Sequence, residues 1–184
     1  EPMVRKDFME IVRVVRATPG IERLAMTTNG YKLCETADEL KAAGVDAINI
    51  SIDSLIPERY AKIRVNGNLN KVLKNFEVFK EYCKKYNRNL CIMVNPMRNN
   101  WEEMPDFVDF CQEHNVNLWY NTVLYPPAYA IHNLPKEELS HIYDSLRIQV
   151  QKRKNLGQIE WYKLEHLVED QIKNWVLDSY EKDI

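Results

Sequence analysis

Polar side chains alternate with isoleucines over residues 47–54, whose sequence is Ala-Ile-Asn-Ile-Ser-Ile-Asp-Ser. In a β-strand, this alternation places the isoleucines on one face and Asn49, Ser51 and Asp53 on the other. A closed eight-stranded barrel fills its interior with bulky branched side chains. Amide, hydroxyl and carboxylate groups on an inner face therefore indicate an open interior that hydrogen-bonds a polar ligand.

The cysteines and histidines do not indicate a metal site. The cysteines are Cys34, Cys83, Cys91 and Cys111, and the histidines are His114, His132, His141 and His166. The cysteines lack the two- or three-residue spacings that let neighbouring thiolates share a metal, and the histidines are too scattered to form a ligand set. We expect Cys91 in a strand, the other three in helices, and all four buried and reduced. No catalytic residue and no metal ligand is assigned.

The polar positions lie within four predicted strands that alternate with helices. The strands cover residues 24–29, 47–54, 90–95 and 117–123. The helices cover residues 4–16, 31–43, 57–63, 70–86, 101–114 and 135–150, and a last helix begins near residue 161. This assignment follows apolar residues at every second position in the strands and at helical spacing between them. The alternation predicts an α/β protein with a parallel sheet and right-handed crossovers.

Ligands of such sheets bind beyond the carboxyl ends of the strands. The candidate mouth therefore consists of residues 27–30, 51–54, 95–98 and 121–125. Arg98 is a candidate for binding an anionic group of a substrate. Structural interpretations stay open beside this one. Asp53 and Ser54 could cap the helix predicted at Pro57, and residues 27–30 could be only a turn between strand and helix.

The composition is that of an ordinary globular protein. The chain has 184 residues, of which 45% are hydrophobic and 28% charged, and its formal net charge is −2. This balance does not favour a polyanion or an anionic membrane, so we expect neither nucleic acid nor membrane as a partner. Because no apolar run has membrane-spanning length and no signal peptide begins the chain, we expect a cytoplasmic location.

The first strand has no partner before it, so we expect missing strands upstream of Glu1.

Three groups of residues resemble the radical S-adenosylmethionine (SAM) superfamily. They are Glu-Pro-Met-Val-Arg-Lys-Asp-Phe at residues 1–8, Met-Thr-Thr-Asn-Gly-Tyr at residues 26–31, and Ile-Ser-Ile-Asp-Ser-Leu at residues 50–55 with Pro-Glu-Arg-Tyr at residues 57–60. The motifs stand in the family's order, each at the carboxyl end of a strand. Over residues 1–63 the chain looks most like the branch that makes the molybdenum cofactor by cyclising GTP.

The resemblance implies roles for individual residues. The SAM-binding residues would be Glu1, Ser51 and Asn121, and Thr27 would face the substrate. Asn29 and Arg98, which belong to the candidate mouth, are the other predicted substrate-binding residues. Glu1 would accept a charge-assisted hydrogen bond from the methionyl amino group of SAM. Independently of the family, the alternation of the strands places Thr27 and Ser51 on the polar inner side.

The resemblance also implies a fold and a reaction. The fold is a partial (β/α)6 TIM-like barrel, of which residues 1–155 would hold the third to sixth strands, with residues 156–184 as a C-terminal helical extension. The cofactors would be SAM and a 4Fe-4S cluster, which reductively cleaves SAM to a 5′-deoxyadenosyl radical that abstracts hydrogen from a substrate. The partners would be a small-molecule or peptide substrate and an electron donor such as a flavodoxin or ferredoxin.

The chain departs from the family pattern in two respects. The CxxxCxxC motif that holds the cluster is absent, so we expect that motif upstream of Glu1 and expect this chain alone to be inactive. A second cysteine triplet of the cyclase branch is also absent, and residues 89–135 look unlike that branch, which leaves the substrate open. A non-catalytic degenerate barrel that binds a ligand or a protein is the alternative. A metal-independent barrel lyase or aldolase ranks last, because the inner faces offer no lysine base.

Overall fold

The computed structural model describes residues 1–32 and 44–181. Its chain forms two compact units, the first comprising residues 1–52 and 56–93 and the second comprising residues 53–55 and 94–184. Most of the helix predicted over residues 31–43, together with Cys34, lies outside the described residues. The predicted boundary between residues 155 and 156 concerns the core barrel and its extension, and it stays a prediction.

Four strands form one sheet, in which their order follows their order in the chain. They are β1 (Ala25–Thr28), β2 (Ala47–Ser51), β3 (Asn89–Val94) and β4 (Asn117–Tyr120). Strand β2 is parallel to both β1 and β3, so the predicted α/β class with a parallel sheet is confirmed.

Two strands end three residues earlier than the alternation predicts, and the other two end one residue earlier. Strand β2 ends at Ser51. The N–H of Ile52 still donates to the carbonyl of Met93 in β3, at 3.0 Å, but from Asp53 onward backbone groups bond to side chains. The carbonyl of Asp53 accepts from the amide of Asn100, and the N–H of Leu55 donates to the carboxylate of Glu103. Strand β4 ends at Tyr120, three residues before the predicted end.

The first unit contains three described helices, α1 (Phe8–Ala17), α2 (Pro57–Ile63) and α3 (Leu69–Lys85). The prediction that a helix begins at Val4 is wrong. A short 3-10 turn covers Pro2–Val4, and Arg5 then adopts an extended backbone with φ −72° and ψ 130°, which interrupts any continuous helix. The side chain of Arg5 is bound instead to the carboxylate of Asp7, at 2.7 and 3.0 Å.

The isoleucine face of β2 forms the core of the first unit. Ile48, Ile50 and Ile52 are all 0% exposed. Helix α3 packs against β2 and buries Val72 and Phe76 from its apolar stripe. Burial of one such side chain is worth about 1.5–3 kcal/mol, so this face fixes which side of the sheet turns inward.

The second unit contains helices α4 (Met104–His114), α5 (Lys136–Asn155), α6 (Trp161–Glu165) and α7 (Lys173–Glu181), with a π-helix at His166–Ile172 between the last two. Pro105 lies in the first turn of α4, where the N–H that proline lacks would have no partner within the helix. The last helical segment begins at Trp161, as predicted, and the π-helix interrupts its α-helical geometry. Within residues 1–32 and 44–181, no helix has both the length and the apolar character needed to span a bilayer.

A buried carboxylate is hydrogen-bonded to the backbone of β4 in the second unit. Glu160 is 5% exposed, and it accepts a hydrogen bond of 3.1 Å from the backbone N–H of Leu118. Burial raises the pKa of Glu160 above its usual value, although the bond from Leu118 and the nearby charge of Lys163 act in the opposite direction. The charged form of Glu160 therefore opposes folding.

Replacing Glu160 with glutamine is expected to flatten the dependence of stability on pH. Because its pKa is higher in the folded than in the unfolded state, Glu160 stabilises the fold below the unfolded pKa of 4.5, and this contribution is lost as pH rises through the folded pKa. Glu160→Gln keeps an acceptor for Leu118 but has no charge, so at pH 7 its free energy of unfolding should equal or exceed that of the wild type. Urea unfolding between pH 4 and pH 8 measures this. Glu113→Gln, on the exposed surface of α4, is the control, and an equal effect there would contradict the prediction.

Candidate functional site

The face of the sheet opposite the isoleucines is polar and open in the first unit. Thr27 of β1 lies beside Asn49 of β2, and Ser51 lies beside Met93 of β3. The amide of Asn49 donates a hydrogen bond of 3.3 Å to the hydroxyl of Thr27. Thr27 is exposed, whereas Asn49 and Ser51 are half-buried. The alternation therefore predicts this face correctly, and Thr27 and Ser51 share it.

Glu1 lies against the carboxyl end of β1. Its carboxylate accepts from the Thr28 hydroxyl, which is 2.9 Å from both oxygens, and from the backbone N–H of Asn29 at 2.8 Å. The backbone N–H of Met3 also donates to Glu1, at 3.3 Å. A carboxylate has about four acceptor positions, so these three donors leave room for one more. Binding of an amino group by Glu1 stays a prediction.

The Thr-Thr-Asn-Gly segment after β1 is a tight turn held by its own side chains. The Thr28 hydroxyl accepts from the backbone N–H of Gly30 at 3.0 Å. The side-chain oxygen of Asn29 accepts from the N–H of Tyr31 at 2.9 Å. Gly30 has φ +70°, a conformation that favours glycine. These bonds give Asn29 a structural role in the turn, and its contact with substrate stays a prediction.

Asn75 of α3 also holds this turn, and it is not among the residues predicted from the sequence. Its side chain is 5% exposed, and its amide nitrogen donates to the carbonyls of Gly30 and Tyr31, at 2.8 and 3.1 Å. A signal was present in the sequence, because Asn75 occupies a position on the apolar stripe between Val72 and Phe79. A polar residue on such a stripe needs a buried partner.

In the second unit, Asp53 organises a cluster of polar side chains. Its carboxylate accepts from the backbone N–H and from the side-chain amide of Asn95, at 2.9 and 2.8 Å. The side-chain oxygen of Asn95 accepts in turn from the amide of Asn121, at 3.3 Å. The interpretation of Asp53 as a helix cap is not supported, because the cap position of α2 is Ile56, without a side-chain capping bond.

Two further buried residues fix the segment after β2, and neither was identified from the sequence. Glu103 accepts from the Ser54 hydroxyl at 2.8 and 2.9 Å and from the backbone N–H of Leu55 at 2.7 Å. Asn100 donates to the carbonyls of Asp53 and Asn95. These bonds occupy Ser54, so its interpretation as a helix cap is not supported either.

Arg98 lies on the surface of the second unit, paired with Glu138. Its guanidinium donates to both carboxylate oxygens of Glu138, at 3.1 and 3.2 Å. The Arg98 side chain is 55% exposed, and exposed pairs of this kind contribute only about 0–1 kcal/mol. An anionic ligand can therefore compete for Arg98, and the predicted role stays a prediction.

The family model described as "Radical SAM superfamily" matches residues 1–111. The chain belongs to the radical SAM superfamily. This confirms the resemblance that the three motifs indicate.

Curated relatives of this radical SAM chain include proteins named GTP 3′,8-cyclase and a molybdenum cofactor biosynthesis protein. A GTP 3′,8-cyclase of Lactiplantibacillus plantarum is 39% identical over 118 residues, which cover 64% of this chain and 35% of that protein. A GTP 3′,8-cyclase of Limosilactobacillus fermentum is 37% identical over 119 residues, with the same coverage. The molybdenum cofactor biosynthesis protein moc-5 of Caenorhabditis elegans is 36% identical over 118 residues, 19% of its length. The chain thus spans about a third or less of these relatives, and the likeness is longer than the 63 residues predicted.

A solved structure has the same fold. Streptococcus suis SuiB bound to S-adenosylmethionine superposes with a TM-score of 0.56 at 14% identity, covering 84% of this chain and 34% of that chain. The likeness to SuiB supports the radical SAM fold, and the partial TIM-like barrel is consistent with it.

The described part of this radical SAM chain does not fit the 4Fe-4S cluster. No group of three or more His, Cys, Asp or Glu side chains suited to a metal occurs within it. Cys83, Cys91 and Cys111 lie in α3, β3 and α4, as predicted. Burial raises the pKa of Cys83 to about 12, so it stays a thiol, whereas a metal ligand must be a thiolate. Cys91 is only half-buried, contrary to the prediction, because it lies on the open face of the sheet.

Proposed function

We propose that the complete protein is a radical SAM enzyme that reductively cleaves SAM, and that this chain supplies part of the surface that binds SAM and substrate. The observation that carries this proposal is the open polar face of β1 and β2, in a chain that matches the family over residues 1–111. Its cofactors are those of the family, SAM and a 4Fe-4S cluster, with the cluster's ligands outside the described residues. When bound, SAM is the source of the radical that abstracts hydrogen from the substrate.

The residues of this chain bind and orient the two ligands. Glu1, Ser51 and Asn121 bind SAM, and Thr27, Asn29 and Arg98 bind the substrate. The charge of Glu1 suits the protonated amino group of SAM, and its bonds to Thr28 and Asn29 fix the carboxylate in place. The hydroxyls of Thr27 and Ser51, on one face of the sheet, suit neutral polar groups.

The substrate of this enzyme is a small molecule, and GTP is the first compound to test. Relatives at 37% and 39% identity are named GTP 3′,8-cyclase, which supports this choice. The exposed guanidinium of Arg98 suits a phosphate group. A flavodoxin or ferredoxin supplies the electron.

Anaerobic reconstitution of the full-length gene product with iron and sulfide tests the proposal. With a strong reductant, we expect iron-sulfur absorbance and the formation of 5′-deoxyadenosine and methionine from SAM. Ser51→Ala is expected to weaken SAM binding about tenfold, because one hydrogen bond near a charged ligand is lost. Ser145→Ala, a half-buried serine on α5, is the matched control and should leave SAM binding unchanged.

Two results would contradict the proposal. Absence of both iron-sulfur absorbance and SAM cleavage in the full-length protein would exclude a radical SAM enzyme. Binding of SAM without any cleavage would instead favour the alternative, a non-catalytic barrel that holds a ligand.

A further inference from the structure

The helix that follows residue 160 changes its geometry where it passes the end of β4. The π-helix at His166–Ile172 separates α6 from α7, and the N–H of Lys173 donates to the carbonyl of Val168, five residues earlier. Leu167 and Ile172, also five residues apart, are both buried. π-Helical segments are rare, and they occur frequently at functional sites. The side chains of this segment are therefore candidates for contact with a ligand.

The π-helix brings Gln171 to the residue that follows Asn121. The Thr122 hydroxyl donates a hydrogen bond of 2.8 Å to the side-chain oxygen of Gln171. The side-chain nitrogen of Gln171 has no hydrogen-bond partner among the described residues, although the side chain is half-buried. One amide group is thus held in a fixed orientation beside an exposed hydroxyl, and it is available to a ligand.

The charged neighbours of Gln171 in the π-helix have partners of their own. Asp170 pairs with His166. The carboxylate of Glu169 accepts from Lys173 at 3.1 Å and from the hydroxyl of Tyr143 at 3.3 Å. The groups that Gln171 and Thr122 present are therefore neutral, and they suit a neutral ligand group that both donates and accepts hydrogen bonds.

We propose that Gln171, oriented by Thr122, contacts the nucleoside of bound SAM. The inference rests on the proposed function, in which the adjacent Asn121 also binds SAM. SAM carries its charges on the amino acid and on the sulfonium, whereas its ribose hydroxyls and adenine edge are neutral and match a neutral amide and a hydroxyl. Gln171 is then a specificity-determining residue for SAM that the motifs at the strand ends do not reveal.

Equilibrium binding of S-adenosylhomocysteine to the full-length protein tests this role without any turnover. Gln171→Ala is expected to raise the dissociation constant about three- to tenfold, the range for one lost neutral hydrogen bond. Thr122→Val, which removes the orienting hydroxyl, should raise it less. Gln151→Ala is the matched control, because Gln151 lies on the exposed face of α5 and donates to Asn155. Melting temperatures of all variants show whether each has folded.

The outcomes separate this inference from the proposed function. If the wild type binds S-adenosylhomocysteine and Gln171→Ala binds it equally well, the contact is disproved while the proposed function stands. A change in the substrate's KM alone would also overturn the inference, because Gln171 would then contact the substrate. Failure of the wild type to bind S-adenosylhomocysteine would contradict the proposed function, and the inference would fall with it.

Discussion

Replacing Asn100 with alanine is expected to lower the free energy of unfolding by about 3 kcal/mol or more, because three backbone groups lose their partner. Asn100 is 0% exposed. Its side-chain oxygen accepts from the N–H of Met97 at 2.6 Å, and its nitrogen donates to the carbonyls of Asp53 and Asn95, at 2.7 and 3.0 Å. Alanine can replace none of these bonds.

Chemical denaturation of Asn100→Ala measures the loss, and Asn99→Ala is a matched control. Asn99 is the adjacent residue of the same type, but its side chain is exposed. Its replacement should change stability by no more than about 0.5 kcal/mol. Equal effects of the two substitutions would contradict the assignment of Asn100 as the residue that fixes these backbone groups. We also expect weaker SAM binding in Asn100→Ala, because Asn95 contacts the proposed SAM residue Asn121.

Replacing Gly30 with alanine is the second substitution with a large expected effect. Gly30 has φ +70°, which costs an alanine about 1–2 kcal/mol. An added Cβ would also lie 2.9 Å from Cγ2 of Ile50 and 3.0 Å from Cγ1 of Val72, both in the rigid core. Overpacking of a core adds about 1–3 kcal/mol, so the total loss should be about 3 kcal/mol.

Gly157→Ala separates the two contributions of the Gly30 substitution. Gly157 has nearly the same backbone angle, φ +68°, but no atom lies within 4 Å of the added Cβ. It should therefore lose only the conformational contribution, about 1–2 kcal/mol. Thermal or urea unfolding of both variants gives the difference, which is the cost of the steric contact. If Gly157→Ala is destabilised as much as Gly30→Ala, the contact with Ile50 and Val72 contributes nothing.

The local pattern of the sequence determined the class of the fold and the direction of the side chains. Alternation in β2 predicts both faces of the strand, because successive side chains of a strand must point to opposite sides. The buried isoleucines, the exposed Thr27 and the half-buried Ser51 confirm it. The three motifs identify the radical SAM superfamily, because they report the residues at the strand ends directly.

The ends of the elements could not be predicted as well. After β2, Ile52 still bonds to the backbone of Met93, but the backbone groups of Asp53 and Leu55 bond to the side chains of Asn100 and Glu103. The sequence alternates through residue 54, and alternation alone does not reveal such competition. The π-helix could not be predicted for a similar reason, because the spacing of apolar residues does not distinguish its hydrogen-bond pattern from that of an α-helix.

Only the tertiary structure decided which polar groups are partners. Asp53 binds Asn95, Asn75 binds Gly30, and Glu103 binds Ser54, and these pairs are 42, 45 and 49 residues apart. A periodic pattern tells which face a side chain occupies, but a hydrogen bond between distant segments depends on how those segments pack. The sequence by itself thus determined the family and the polar face. The tertiary structure decided which side chains hold the segments beside that face in place, because buried polar groups must form hydrogen bonds with the partners that packing places near them.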